Sequence, residues 1–183
     1  MTRVLVLGML EIQPWSGYDI QQVLRLSDAE RWGGVLIGSI YHALKKMEKE
    51  GLVVVDSIEQ TGHRQKAIYK ITEKGQEYLK QLVAECLEAS SVNYPSTLYS
   101  GMSYIEKISK DDALKALCQQ RDSLEKEYTE LENGMRLKNV TMNNHIPPMT
   151  NLIFENMFAV VKQQQSFVKK AIQLLELEQL KEE

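Results

Sequence analysis

Cysteine and long apolar runs are scarce in this 183-residue sequence, and each scarcity removes a class of protein. The two cysteines, Cys86 and Cys118, have no cysteine or histidine companions at metal-ligand spacing, so we interpret them as ordinary buried or half-buried thiols. The longest apolar-rich run, residues 4–12, is too short to span a bilayer. The N-terminus has neither the basic segment nor the small-residue cleavage site of a secretory signal. We therefore expect a cytoplasmic protein without a membrane partner.

Catalytic motifs are also missing. The sequence has no glycine-rich phosphate loop and no Gly-x-Ser-x-Gly turn, and its histidines, His42, His63 and His145, are never four residues apart. The acidic residues fall on amphipathic helical patterns, where a solvated surface is the ordinary explanation. We predict that the protein is not an enzyme and that it uses no metal and no cofactor.

Net positive charge, the simplest signal of nucleic-acid binding, is absent as well, because the formal net charge is −3. Residues 1–85 contain 11 Lys/Arg and 11 Asp/Glu, and residues 38–74 contain seven basic against five acidic side chains. This excess of two is small. Any prediction of DNA binding must therefore depend on where the charges lie.

Residues 38–72 combine a helical pattern with a hairpin pattern. Ile40, Leu44 and Met47 share one face of a helix that starts near Ser39 and stops at Gly51. Strand patterns follow over residues 52–58 and 67–72, with a polar loop at 59–66 between them. A helix with a polar outer face followed directly by a hairpin is typical of a winged helix, although a surface helix and hairpin in another α+β domain would give the same pattern.

Two further helices precede this stretch, as a winged helix-turn-helix requires. Residues 2–12 are apolar almost all round, which predicts a helix buried on more than one side. Ser16 and Asp19 form a capping box for a helix over residues 17–26, and residues 27–38 are expected to be a connector. Thr72 is placed to cap a helix after the hairpin.

The remaining sequence predicts a helical domain. Residues 90–103 are rich in Ser, Asn and Tyr and are interpreted as the domain boundary, followed by a short helix within residues 102–108. Ser109 and Asp112 form a capping box for a further helix. Gly134 and then residues 143–148 are expected to end it. The last helix, about 149–180, has two adjacent apolar stripes: Ile153, Met157, Val160, Gln164, Phe167, Ala171 and Leu174, and Phe154, Phe158, Val161, Gln165, Val168, Ile172 and Leu175.

Two neighbouring stripes make a face that is too wide for one partner helix, so we expect a homodimer through the C-terminal helices. The predicted fold class is mainly α with a small β-hairpin. It comprises an N-terminal winged helix-turn-helix DNA-binding domain over residues 1–90 and a C-terminal helical dimerisation domain over residues 91–183.

Three motifs resemble the PadR family of bacterial transcriptional regulators. They are PWSGYDI at residues 14–20, GSIYHALKKMEKEGL at 38–52 and YKITEKG at 69–75, and the length fits the branch with a long two-helix C-terminal domain. The Arg31-Trp32-Gly33-Gly34 segment has no informative match. The resemblance implies a dimeric repressor that binds an inverted-repeat operator. Some relatives release DNA when a small aromatic acid or a lipophilic drug binds.

The candidate DNA contacts lie at the predicted recognition helix and wing. We expect base or phosphate contacts from the helix start and backbone contacts from the lysines and the wing tip, with a merely solvated surface as the alternative for each residue. These candidates are Ser39, Tyr41, His42, Lys45, Lys46, Lys49, His63, Arg64 and Lys66. Without sequence-specific DNA binding, the domain would instead be a winged-helix protein-interaction module.

Aromatic residues are the candidates for an effector site. Trp15, Tyr18 and Trp32 form one group, and Tyr94 and Tyr99 in the inter-domain stretch form another. The alternative for each is ordinary core packing, which is the more common role of aromatic residues at helical or turn spacing. The sequence does not identify a ligand.

Overall fold

The computed structural model describes residues 1–27, 29–61, 64–89 and 92–182. The chain divides into two compact units, Met1–Val92 and Asn93–Glu183. The first contains helices and a small sheet, and the second is helical in its described part. The predicted fold class, mainly α with a small β element and a winged helix-turn-helix at the N-terminus, is confirmed.

Five helices form the frame of the N-terminal unit. They are α1 (Thr2–Ile12), α2 (Gly17–Leu26), α3 (Ala29–Gly33), α4 (Ile40–Lys49) and α5 (Glu73–Glu88). The predicted bounds of α2 are confirmed, and the Ser16 hydroxyl accepts a hydrogen bond from the Asp19 N–H at 3.1 Å, which caps the helix. Thr72 caps α5 by accepting a hydrogen bond from the Gly75 N–H at 3.0 Å.

The expected connector over residues 27–38 is partly wrong, because it contains α3 and a 3-10 turn at Ile37–Ser39. Ala29, Val35 and Ile37 are buried in the core, and the Ile37 N–H donates to the Glu30 carboxylate at 3.1 Å. Apolar anchors two to six residues apart hold this segment in place. They are too few to produce a helical period in the sequence.

The sheet has three antiparallel strands in the order β1-β3-β2. Strand β1 is Trp15–Ser16, β2 is Val53–Thr61 and β3 is Arg64–Ile71. The predicted loop at 59–66 is therefore wrong for most of its length, since Glu59 pairs with Lys66 and Gln60 with Gln65. Backbone hydrogen bonds carry this outer part of the hairpin, so its side chains can be polar on both faces and show no alternation.

The core of the N-terminal unit lies between the helices and the base of the hairpin. Ile40, Leu44 and Met47 of α4 are fully buried there, as their spacing predicts. Helix α1 packs against α4, α5 and β3, with Val6, Leu7 and Leu10 buried. Since α4 turns its whole apolar face inward, its opposite face is free for another role.

The C-terminal unit is formed mainly by two long helices. Helix α6 (Ser96–Met102) and a 3-10 turn (Ile105–Lys107) precede α7 (Lys110–Thr141) and α8 (Pro148–Glu182), and α7 packs against α8. The Ser109 hydroxyl accepts from the Asp112 N–H at 3.1 Å and caps α7 as predicted. Residues 96–102, within the segment interpreted as the domain boundary, are helical. The expectation that Gly134 ends the helix after Ser109 is wrong, because Gly134 lies inside α7.

The two apolar stripes of α8 differ in exposure. The stripe from Phe154 to Leu175 is buried or half-buried, with Val168 fully inaccessible. In the other stripe, Ile153, Val160 and Leu174 are 52%, 54% and 64% exposed, whereas its remaining members are half-buried or, at Ala171, buried. Within the described residues, no helix is both long and apolar enough to cross a bilayer.

Candidate nucleic-acid interface

The outer face of α4 carries most of the predicted DNA contacts. Tyr41, His42, Lys45, Lys46 and Lys49 are all exposed on this helix. In the part of the chain that the structure describes, none of the three lysines forms an ion pair, so their ammonium groups are available to phosphates.

Ser39 and Tyr41 differ from the lysines because they also make contacts within the unit. The Ser39 hydroxyl donates to the Leu36 carbonyl at 2.7 Å and does not cap α4. The Tyr41 ring lies against Gly17, where an added Cβ would be 2.7 Å from Tyr41 Cε1. Tyr41 is nevertheless 48% exposed. It thus joins the start of α2 to the start of α4 while its remaining surface faces solvent.

The end of α4 is held by an ion pair that the sequence does not reveal. Arg3 on α1 donates to both carboxylate oxygens of Glu50, at 2.7 and 2.8 Å, and to the Tyr78 hydroxyl of α5 at 3.4 Å. Lys74 donates to the Glu50 carbonyl at 2.7 Å. These contacts connect Glu50, the C-cap residue of α4, to α1 and α5. Because Arg3 and Glu50 are 47 residues apart, no local pattern could have found the pair.

On the hairpin, Lys66 is paired with Asp19 of α2. Its ammonium is 2.9 Å from Asp19 Oδ2 and 3.2 Å from Oδ1, and Asp19 also accepts a hydrogen bond from the Ser16 hydroxyl at 2.7 Å. The hydrogen bond to Asp19 raises the pKa of Lys66. Burial acts to raise the pKa of Asp19, but the bonds from Lys66 and Ser16 outweigh it and the pKa is lowered. Both groups are therefore charged at neutral pH.

The other two wing candidates can be located only in part. His63 lies outside the described residues. For Arg64 the structure describes the backbone, which pairs with Thr61 across the hairpin. The two residues remain predictions as DNA contacts.

The first group of aromatic candidates is accounted for mainly by local contacts. Trp15 packs against the core of the N-terminal unit, and its indole Nε1 is buried without a hydrogen-bond partner among the described residues. Trp32 donates its Nε1–H to the Ser27 carbonyl at 2.7 Å. Tyr18 is 55% exposed. These positions agree with the core interpretation for Trp15 and give no sign that the three rings share a ligand.

Tyr94, of the second aromatic group, lines a cavity of about 640 Å³ in the C-terminal unit. Tyr94, Leu98, Met102, Ile105, Leu117 and Gln120 are among its lining residues. Tyr99 lies beside it, with its ring centroid 6.4 Å from Tyr94 and 5.7 Å from Phe167. A mostly apolar cavity of this size, with a few polar groups, is typical of small-molecule sites.

The N-terminal unit has the elements of a winged helix-turn-helix: three main helices (α1, α2 and α4), the β2–β3 hairpin and the short strand β1. The third of these helices, α4, has the polar outer face described above. Residues 6–81 match the model of the transcriptional regulator PadR-like family. This match lies within the N-terminal unit, and it confirms the resemblance to the PadR family predicted from the three sequence motifs.

Solved structures extend the similarity of fold to the C-terminal unit. Bacillus subtilis PadR in complex with operator DNA is 18% identical, with a TM-score of 0.76 over 94% of this chain and 96% of that one. The same protein in complex with p-coumaric acid is 17% identical, with a TM-score of 0.71 over 96% and 97%. The PadR-like regulator BC1756 from Bacillus cereus is 22% identical, with a TM-score of 0.69 over 94% of each chain. No curated protein matches the sequence significantly.

Proposed function

We propose that this protein is a cytoplasmic, DNA-binding transcriptional repressor that binds an inverted-repeat operator as a homodimer. The observation that carries the proposal is the outer face of α4, which is rich in exposed polar and basic side chains on a helix with a fully buried apolar face. A helix held in this way can enter the major groove, where its first turns meet base edges. The PadR-like domain match supports the same conclusion.

The proposed contacts divide by position along α4 and the hairpin. His42 and Lys45, near the start of α4, are proposed to read base edges, and Ser39 and Tyr41 to bind nearby phosphates. Lys46 and Lys49, one and two helical turns beyond His42, are proposed to bind the DNA backbone. The hairpin tip, with His63 and Arg64, would reach the flanking backbone or minor groove.

A second copy of the chain is proposed to pack on the C-terminal unit. The exposed stripe of α8 supports this, since Ile153, Val160 and Leu174 recur at multiples of seven residues on one helix face. A two-fold dimer would present two recognition helices to half-sites about 34 Å apart. Inverted-repeat operators have this symmetry.

Regulation by a small molecule is a further part of the proposal. Bacillus subtilis PadR has been solved with p-coumaric acid. In this chain, the cavity bordered by Tyr94 and Leu98 supports a site for a small aromatic or lipophilic effector, with Tyr99 beside it. Trp15, Tyr18 and Trp32 form the competing site, which has less support because two of the rings are engaged locally.

DNA binding is tested by fluorescence anisotropy with the DNA upstream of the gene and with a scrambled duplex, over a series of salt concentrations. We expect tight, sequence-selective binding that weakens with salt. Lys46→Met should weaken binding to both duplexes and reduce the slope of log K against log salt by about 0.9, because one phosphate contact is lost.

Lys115→Met is the matched control, since Lys115 is an exposed lysine of the C-terminal unit. It should leave the slope unchanged. If the unaltered protein does not bind either duplex at low salt, the regulator proposal is wrong and a protein-interaction module takes its place.

A further inference from the structure

The ammonium group of Lys66 is paired with one carboxylate and interacts electrostatically with a second. Asp19 holds it at 2.9 and 3.2 Å, and Glu59 is its cross-strand partner in the hairpin. A lysine that binds phosphate from this position would have to leave Asp19 or bring that carboxylate close to the phosphate. Either choice costs electrostatic energy, so Lys66 is poorly placed as a backbone contact.

The position of the pair along the hairpin indicates another role. At its base, β3 is attached to the start of α2 through β1, where Ile68 pairs with Ser16 and Tyr69 with Trp15. Lys66 lies two residues nearer the tip. Among the described residues, it is the hairpin residue nearest the tip that forms a hydrogen bond or ion pair with the helices. Beyond it, the observed ladder pairs only β2 with β3.

A contact at Lys66 can set the orientation of the outer hairpin, because a small rotation there displaces the residues nearer the tip. Arg64, the described residue of β3 nearest the tip, lies two residues beyond Lys66, which at about 3.3 Å per residue gives an arm of about 7 Å. A rotation of about 20° at Lys66 would therefore move the backbone of Arg64 by about 2–3 Å. This displacement exceeds the distance range over which a hydrogen bond to a phosphate can form.

We propose that Lys66 and Asp19 form a strut that sets the angle of the wing relative to the helix-turn-helix, so that Lys66 is a positioning residue. Asp19 is well suited to this role because Ser16, the cap of α2, fixes its carboxylate. The strut therefore connects the wing to the N-terminus of the helix that packs beside α4. The consequence for DNA, though not the strut itself, rests on the function proposed above.

The hairpin contains a matched control. Lys70 and Asp56 form an ion pair at 2.7 Å, on β3 and at the bulge of β2. Both residues belong to the hairpin, so this pair cannot connect the wing to a helix. Lys70→Met and Asp56→Asn therefore repeat the charge changes of Lys66→Met and Asp19→Asn without touching the strut.

The first experiment uses the free full-length protein. Residual dipolar couplings of backbone amides report the orientation of the hairpin relative to α2 and α4. We expect Lys66→Met and Asp19→Asn to shift the couplings of Glu59, Gln60 and Gln65, and the double variant to shift them no further. The two control variants should leave them unchanged. Unchanged couplings in Lys66→Met and Asp19→Asn would overturn the strut.

The second experiment measures DNA affinity against salt for the same variants. If Lys66 positions the wing, Lys66→Met, Asp19→Asn and the double variant lose affinity by the same factor relative to their controls, and the slope of log K against log salt falls equally in all three, because the same wing contacts with phosphate are lost. If Lys66 binds a phosphate, the slope falls by about 0.9 for Lys66→Met, and Asp19→Asn binds as tightly as its control or more tightly. That second pattern would also overturn the proposal. A protein that binds no DNA would refute the regulator function, while the couplings still decide whether the strut exists.

Discussion

At Gly75, the absence of a side chain allows the first turn of α5 to pack against the backbone at the base of the wing. A Cβ at this position would be 2.1 Å from the Leu52 carbonyl oxygen and 2.7 Å from Ile71 Cγ1. The first obstacle is backbone and cannot turn away. We expect Gly75→Ala to lower the free energy of unfolding by about 1–3 kcal/mol, although alanine is the better helix former. Urea unfolding followed by circular dichroism measures this.

Gly8 provides the control for Gly75. It also lies inside a helix, α1, but an added Cβ there would meet no atom within 4 Å. Gly8→Ala should therefore raise the free energy of unfolding by up to about 1 kcal/mol. Equal effects of the two substitutions would mean that helix propensity, and not the contact with Leu52, decides the outcome at Gly75.

At the scale of elements, the Arg3–Glu50 pair ties the end of α4 to α1 and should make stability depend on pH. The hydrogen bonds from Arg3 lower the pKa of Glu50. A carboxylate with a lowered folded-state pKa stabilises the protein above its unfolded pKa of about 4.3, and the stabilisation is lost as the pH falls through the folded value. We therefore expect Glu50→Gln to reduce the urea midpoint at pH 7, and the difference from the unaltered protein to shrink towards pH 3.

Glu77→Gln is the comparison for Glu50→Gln, because Glu77 belongs to an exposed ion pair with Lys80 within α5. Exposed pairs of this kind contribute little, so its midpoint should differ little from that of the unaltered protein at either pH. A difference for Glu50→Gln that stays constant from pH 7 to pH 3 would show that the Arg3 pair does not contribute through charge.

The elements that could be predicted from sequence are those whose signals are local. Ser16, Thr72 and Ser109 each bond to an N–H three residues ahead, and the buried stripe of α4 repeats every three or four residues. Such signals fall within one helical turn or two. The bounds of α2 could be read from them directly.

The features that the sequence could not predict either leave no pattern in the side chains or depend on partners far along the chain. The outer hairpin is held by backbone pairing, which leaves no mark on side chains such as Gln60 and Gln65. In the candidate site the reason is distance along the chain. Helical spacing predicts that Lys45 and Lys46 face outward, but it cannot reveal that Lys66 meets Asp19, 47 residues away.

At the scale of the whole molecule, the exposed stripe of α8 leads to a prediction about assembly. In the proposed two-fold dimer, each Val160 would be buried by the other copy, so a substitution acts twice. Losing about 1.5 kcal/mol of burial at each of two sites should raise the dimer dissociation constant by about a hundredfold or more. We therefore expect Val160→Glu to sediment as a monomer at concentrations where the unaltered protein is a dimer.

Gln173→Glu separates the stripe from the added charge. Gln173 is exposed on α8 about 140° around the helix axis from Val160, at 100° per residue. It should therefore remain dimeric. A monomer should also bind a full inverted repeat little more tightly than a single half-site, because it is the linkage of two DNA-binding domains that multiplies their affinity. If Val160→Glu stays dimeric and still binds a full inverted repeat tightly, the two copies meet through another surface, and the exposed stripe of α8 needs a different partner.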